Sequence, residues 1–107
     1  MFGTVARLKV KPGREQDLMA ASEAWNRETT AQGLAVGAIA EYVFKLENPQ
    51  NEYIMVAIFN DRESYFANAA RPETDQQYRQ LRALLESDPE WNDGQVVHSA
   101  SFATVGI

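Results

Sequence analysis

Apolar and polar positions alternate along the first residues of the chain and then change to a helical spacing. Residues 2–11 are rich in Val, Leu and Thr and stop at Pro12-Gly13, which predicts a first strand that ends in a turn. From Glu15 to about Gln32 the apolar positions recur every three or four residues with charges between them, which predicts an amphipathic helix. Gly33 suits the end of that helix, because glycine adopts the left-handed conformation without steric cost.

A β-hairpin is predicted next. Residues 36–46 (VGAIAEYVFKL) and Tyr53–Phe59 are rich in β-branched and aromatic residues, and each predicts a strand. Between them, residues 48–51 read Asn-Pro-Gln-Asn, a sequence typical of turns. A short connection of this kind joins neighbouring strands, so the second and third strands are expected to pair in antiparallel orientation.

A short helix follows the third strand. It contains the aromatic pair Tyr65 and Phe66, and either Asn60 or Asp61 can cap its first turn. Glu63 lies three residues after Asn60, which is the spacing of a capping box. The stretch therefore predicts a turn from sheet to helix.

A second helix and a last strand complete the predicted elements. Pro72 suits the first turn of the helix, which is expected to run to about Leu85. The Asp88-Pro89 pair ends the helix, Asp93-Gly94 predicts a turn, and residues 95–105 predict the fourth strand. The inward stripe of this helix is expected to consist of Tyr78, Leu81 and Leu85.

The order of these elements predicts the fold class. Strand, helix, strand, strand, helices and strand is the split βαβ arrangement of ferredoxin-like α+β proteins. It gives a four-stranded antiparallel sheet with helices on one face. The 107 residues are expected to form a single domain spanning 1–107, because this length supports one hydrophobic core.

The second and third strands are apolar on both faces, although helices can cover only one face. In the second strand one face is predicted to consist of Val36, Ala38, Ala40, Tyr42, Phe44 and Leu46. An open apolar face favours association, and two-fold homodimers are its commonest form, so we expect a homodimer through the sheet face. The alternative is an open face that carries a few isolated apolar residues.

Charge and cysteine content exclude several classes of partner. The formal net charge is -5, and the ten basic residues are scattered among fifteen acidic ones, so neither nucleic acid nor an anionic membrane is an expected partner. Without cysteine, disulfides, thiolate catalysis and Cys-ligated metal are excluded. The N-terminus has no secretory pattern and no apolar run could span a bilayer, which makes the cytoplasm the default location.

His98 is the only histidine and the only obvious acid–base candidate near neutral pH. A structural histidine that is hydrogen-bonded within the core or an interface is the alternative. One histidine with scattered carboxylates does not predict a metal site, and no glycine-rich phosphate loop is present.

An aromatic set predicts a pocket between the sheet and the helices. A flat apolar ligand would suit such a pocket, with its polar groups meeting a Tyr hydroxyl or Asn68. The alternative is that these rings only fill the core. The expected substrate-binding residues are Trp25, Phe59, Phe66 and Tyr78, and the candidate catalytic residues are Asn68, Tyr65 and His98.

Two phrases in the sequence resemble a known family. Residues 10–15 read Val-Lys-Pro-Gly-Arg-Glu, a strand that enters a Pro-Gly turn before a polar helix start. Residues 67–72 read Ala-Asn-Ala-Ala-Arg-Pro, where the family presents Ala-His four residues before a proline. Over nearly its whole length the chain resembles the antibiotic biosynthesis monooxygenase (ABM) family of dimeric α+β barrels.

The resemblance implies a homodimer whose sheets pack face to face, with a pocket in each subunit. Family members include cofactor-independent oxygenases of aromatic substrates and quinols, and haem-degrading enzymes. The chain departs from the family at Asn68, which replaces a histidine, and at Ala57 and Phe59, which stand in a Glu-x-Trp phrase. An amide cannot act as a base. The single histidine, expected on the last strand, argues against haem, so no cofactor is expected.

Two functions of different classes follow. The first is a cofactor-independent monooxygenase acting on a small aromatic phenol or quinol, with Asn68 and Tyr65 orienting the substrate and His98 as a base. The second is a non-catalytic homodimer that binds a small apolar ligand or has a stress or structural role. An isomerase or decyclase on the same fold is a third possibility that the sequence does not rank.

Overall fold

The predicted order of elements is confirmed by a computed structural model, which describes residues 1–33 and 36–102. Within these ranges four strands and three helices form the split βαβ arrangement of an α+β fold. Their bounds are β1 (Phe2–Lys9), α1 (Glu15–Ala31), β2 (Ala38–Lys45), β3 (Glu52–Phe59), α2 (Arg62–Ala69), α3 (Pro72–Ala83) and β4 (Glu90–Gln95).

The four strands form one antiparallel sheet in the order β2-β3-β1-β4. Along the central strand β1, Thr4 pairs with Ala57 of β3 on one side and with Asp93 of β4 on the other. Alternate residues of each strand face the helices. The helices therefore cover the face that carries Thr4, Ala6 and Leu8, all of which are buried.

The position of the fourth strand was predicted wrongly. It spans Glu90–Gln95, where its backbone pairs with Phe2 to Arg7 of β1, so Asp93 and Gly94 belong to the strand and make no turn. Residues 96–102, which look more strand-like, follow it outside any strand, and 103–105 lie outside the described residues. Pairing with an existing strand outweighs intrinsic β-propensity here.

Strand β2 contains an irregularity that changes which face one residue occupies. The register with β3 shifts between Ala38 and Ala40, so Ala38 pairs with Phe59 on the helix side. The prediction that Ala38 shares a face with Tyr42 and Phe44 is therefore wrong. An extra residue in one strand reverses the alternation beyond it.

The helix ends follow the local signals of the sequence. Asp61 is the N-cap of α2 and accepts a hydrogen bond from the Ser64 amide at 2.7 Å, which lowers the pKa of the Asp61 carboxyl. The capping box predicted from Asn60 and Glu63 is wrong, because Asp61 takes the cap. Gly33 follows α1 with φ of 62°, as predicted. None of the described helices has the length and apolar content needed to cross a bilayer.

The close-packed core occupies one end of the space between the sheet and the helices. Leu8, Val10, Leu18 and Leu85 are almost completely buried there, and Leu81 of α3 packs beside them. The predicted inward positions Leu81 and Leu85 are thus confirmed. Further towards the start of β1, the small side chains of Thr4 and Ala57 lie on the helix-facing side of the sheet and leave space beside them.

Candidate functional site

A cavity occupies the loosely packed end of the layer between the sheet and the helices. It has two lobes, which we call the α1 lobe, of about 390 Å³, and the α2 lobe, of about 490 Å³. Leu18 and Thr29 help to line the first, and Tyr65 and Trp91 the second. The two lobes meet at eight residues: Trp25, Glu41, Met55, Ala57, Phe59, Asn68, Gln77 and Leu81.

Small side chains on the sheet open this cavity, and aromatic rings enclose it. Thr4 and Ala57 are register partners on β1 and β3, and both face the α2 lobe. The Tyr65 ring packs against Phe59 and Phe66, with centroid distances of 5.6 and 5.0 Å. A pocket of this size with mainly apolar walls suits a small aromatic molecule.

The structure brings together six of the seven site residues expected from the sequence. All six line the α2 lobe: Trp25, Phe59, Tyr65, Phe66, Asn68 and Tyr78. The seventh, His98, is exposed and follows β4, and it lines neither lobe. The prediction that His98 lies on the last strand is wrong, so a role as base has no positional support.

A tyrosine–carboxylate pair stands at one side of the α2 lobe. The Tyr65 hydroxyl donates a hydrogen bond of 2.8 Å to Oδ1 of Asp93 on β4. Burial, followed by the hydrogen bond to Asp93, raises the pKa of Tyr65 to about 12. Tyr65 therefore stays protonated and acts as a donor, whereas the second oxygen of Asp93 remains available as an acceptor.

An amide–guanidinium pair stands where the two lobes meet. Nη2 of Arg71 donates to the side-chain oxygen of Asn68, and the Thr74 hydroxyl donates to the Asn68 main-chain oxygen at 2.7 Å. Because its side-chain oxygen is engaged, Asn68 has its NH₂ group left to offer to a ligand. Asn68 is thus held as a hydrogen-bond donor.

Three polar residues of the cavity were not found by sequence reasoning. Asp93 was assigned to a turn, since Asp-Gly is a strong turn signal. Arg71 precedes a proline and gave no sign of being buried. The Thr4 hydroxyl is buried near the Tyr65 hydroxyl, and alternation along β1 could have placed it on the helix side.

The described residues contain no cluster of three or more His, Asp or Glu side chains that could hold a metal ion. The three carboxylates that line the cavity each have a different partner. Asp93 accepts a hydrogen bond from Tyr65, and Asp75 pairs with Arg79 at 3.1 Å. Glu41 accepts a long hydrogen bond of 3.5 Å from Asn26. The arrangement offers hydrogen-bond donors and acceptors around an aromatic cavity.

Comparison with solved structures identifies the fold. A conserved protein from Methanosarcina mazei superposes with a TM-score of 0.76 at 20% identity, covering 88% of this chain and 90% of that one. A crystal structure of an antibiotic biosynthesis monooxygenase gives 0.73 at 13% identity, covering 92% and 100%. The cofactor-independent oxygenase SnoaB from Streptomyces nogalater gives 0.71 at 16% identity, covering 92% and 94%.

The chain has the ABM fold. The resemblance predicted from two short phrases is confirmed at the level of the fold, and it extends over almost the whole chain. No protein-family model matches the sequence, and no curated protein matches it. The ABM fold gives the scaffold of the cavity, and the chemistry must be argued from the residues that line it.

Proposed function

We propose that the chain is a cofactor-independent monooxygenase of a small aromatic phenol or quinol. The observation that carries the proposal is the α2 lobe, where aromatic walls surround the hydroxyl of Tyr65, the carboxylate of Asp93 and the amide of Asn68. The rings of Trp25 and Tyr78 would stack against the substrate. SnoaB, a cofactor-independent oxygenase with the same fold, supports this class of reaction.

In the proposed reaction the substrate supplies the electrons that reduce O₂. Asp93 accepts the phenol proton, directly or through a water molecule, and Tyr65 holds the carboxylate in place. The Asn68 NH₂ group donates to the negative oxygen that develops on the ring. The electron-rich ring then reacts with O₂. One oxygen atom enters the ring to give a quinone, and the other leaves as water with two hydrogens from the phenol.

The working unit is proposed to be a homodimer formed through the open face of the sheet. Val5, Tyr42 and Phe44 lie on that face with 46%, 58% and 53% of their surface exposed. Arg7 on the same face already pairs with Glu52 at 3.0 Å, so packing two sheets together would not leave this charge without a partner. A cytoplasmic location also remains a prediction from the sequence.

Turnover by two variants tests the proposal. Asn68→Ala removes the donor to the developing anion, and Tyr65→Phe removes the partner of Asp93, so both should lower kcat by about 10- to 100-fold. Gln76→Ala, an exposed amide on α3, is the control and should keep the wild-type rate. Wild-type rates in both site variants, with folded protein, would contradict the assignment of these residues.

A non-catalytic binding protein is the second candidate. It is favoured by two observations: no histidine is among the described residues that line the cavity, and Tyr65 is held protonated. O₂ consumption with a panel of hydroquinones separates the two functions. A binding protein would be stabilised against heat by the ligand and consume no O₂. An isomerase or decyclase would form product without O₂.

A further inference from the structure

Arg71 carries a charge that the described structure does not neutralise. Its Nε and Nη1 atoms are buried and have no hydrogen-bond partner among the described residues, while Nη2 donates to Asn68. Arginine remains charged in proteins, and burying a charge without a partner is costly. A buried polar group without a protein partner calls for another partner, and at the wall of a cavity a bound ligand can supply it.

The position of Arg71 connects this charge to the cavity. Arg71 is the residue before α3 and lines the α1 lobe beside Asn68, where the two lobes meet. Within the described ranges it is the one basic residue that lines either lobe. Glu41 lines the same lobe, but it accepts a hydrogen bond from Asn26, and no ion pair joins it to Arg71 in the described part of the chain.

The side chains of Asn68 and Arg71 both present N–H donors to the cavity. Asn68 offers its NH₂ group because Arg71 occupies its oxygen, and Arg71 offers Nε and Nη1. A set that contains N–H donors and a positive charge, with no free acceptor, favours an oxygen that carries negative charge. We infer that Arg71 and Asn68 form an anion subsite for the carboxylate or ionised phenol of an aromatic ligand.

This inference deepens the proposed function, since it rests on the cavity being the ligand site. It does not depend on a reaction with O₂. A ligand would span the cavity with its rings against Trp25 and Phe59, which line both lobes, and with its negative oxygen at Arg71. The Tyr65–Asp93 pair would then meet a hydroxyl at the other side of the ring system.

Calorimetric titration with pairs of probes that match in shape and differ in charge tests the subsite at mildly alkaline pH. The first pair is 2-naphthoate and 2-naphthamide, which have similar shape and differ in charge. The second is 4-nitrophenolate and 4-nitroanisole, which asks whether a phenol oxygen is also accepted. At least one anion should bind about 10- to 100-fold more tightly than its neutral partner. Preference for one anion alone identifies which oxygen the subsite takes.

Two variants and one control localise the effect. Arg71→Met should abolish the preference for the anion without lowering the stability of the ligand-free protein, because it removes an unpaired buried charge. Asn68→Asp keeps an oxygen facing Arg71 and adds a negative charge that neutralises the charge of Arg71. It should therefore weaken anion binding by about tenfold or more and stabilise the ligand-free protein. Arg27→Met, at an exposed arginine of α1, should retain wild-type binding.

The outcomes separate this inference from the proposed function. Equal binding of anions and neutral probes, binding of neither, or an anion preference that survives Arg71→Met would each overturn the subsite. Loss of stability in the free Arg71→Met protein, with the preference kept, would assign Arg71 a structural role. If the protein consumes O₂ with a neutral hydroquinone and shows no preference for anions, the monooxygenase is supported and the anion subsite is contradicted. If it prefers anions and consumes no O₂, the anion subsite is supported and the monooxygenase is contradicted.

Discussion

The hydrogen bond between Tyr65 and Asp93 gives the most direct quantitative test of the site geometry. Tyr65→Phe removes one oxygen and keeps the ring, whose contacts with Phe2 and Phe59 have centroid distances of 5.3 and 5.6 Å. A hydrogen bond to a charged group contributes about 1.5–3 kcal/mol to stability. Because Asp93 is exposed to solvent, we expect a value below that range, about 1 kcal/mol.

The elevated pKa of Tyr65 points to the same interaction. Burial is the largest of the effects that raise this pKa from 10.0 to about 12, and the hydrogen bond to Asp93 is the next. Both effects favour the protonated hydroxyl, which is the form that donates to Asp93. The hydrogen bond is expected to contribute about 1 kcal/mol to stability.

A double-mutant cycle measures this contribution. The free energy of unfolding in urea is compared for the wild type, Tyr65→Phe, Asp93→Ala and the double variant. The coupling energy should be about 1 kcal/mol. The same cycle with Tyr65 and Asp88, an acid that instead pairs with Arg82 at 2.6 Å, is the control and should give none. A Tyr65–Asp93 coupling below about 0.3 kcal/mol would refute the pair.

Three further predictions address pH, the cavity and the sheet. Folding raises the pKa of Tyr65 and of Tyr53 to about 12, so the contribution of these two hydroxyls to stability is fully present below pH 10 and is lost as the pH rises towards 12. In urea titrations at alkaline pH, the loss of stability should be smaller for Tyr65→Phe than for the wild type. An equal loss in the two proteins would contradict the raised pKa of Tyr65. Ala57→Leu should fill the part of the cavity next to the sheet with little change in stability. The affinity for 2-naphthoate, measured by calorimetry, should fall about tenfold. An unchanged affinity would place the ligand elsewhere. Gly3→Ala should lower the free energy of unfolding in urea by about 3 kcal/mol, because the added Cβ would lie 2.0 Å from the main-chain oxygen of Ala57. Gly94→Ala is the control, since its Cβ would enter open space. Equal losses of stability in the two variants would contradict this prediction.

The elements predicted correctly from the sequence are those whose hydrophobic residues repeat with the period of the face that they bury. Strand β1 and helix α1 show clear periods of two and of three to four residues, and both form close to their predicted bounds. The fourth strand was missed because its residues, Glu90–Gln95, are polar and include Asp-Gly. What makes them a strand is the free edge of β1, and a sequence window around residue 93 does not contain that partner.

The candidate site also has a part that the sequence predicts, the aromatic walls, and a part that it does not, the polar groups. The aromatic residues could be predicted because Trp25 and Tyr78 lie on inward helix stripes, and Tyr65 lies near the start of the helix that follows β3. The polar groups of the cavity could not. Burial of the Arg71 nitrogens depends on how α3 packs, and the partner of Asp93 is 28 residues away in the sequence. Contacts of this kind come from tertiary structure.

The central claim is that the cavity supports incorporation of one oxygen atom from O₂ into an aromatic phenol. The most direct measurement is mass spectrometry of the products formed under oxygen-18 gas from a panel of phenols and hydroquinones, with an oxygen electrode recording O₂ uptake. The proposed function predicts a quinone that carries one labelled atom, formed with equimolar O₂ and much more slowly by Asn68→Ala. Ligand-induced thermal stabilisation with no O₂ uptake and no labelled product would contradict it and favour a binding protein.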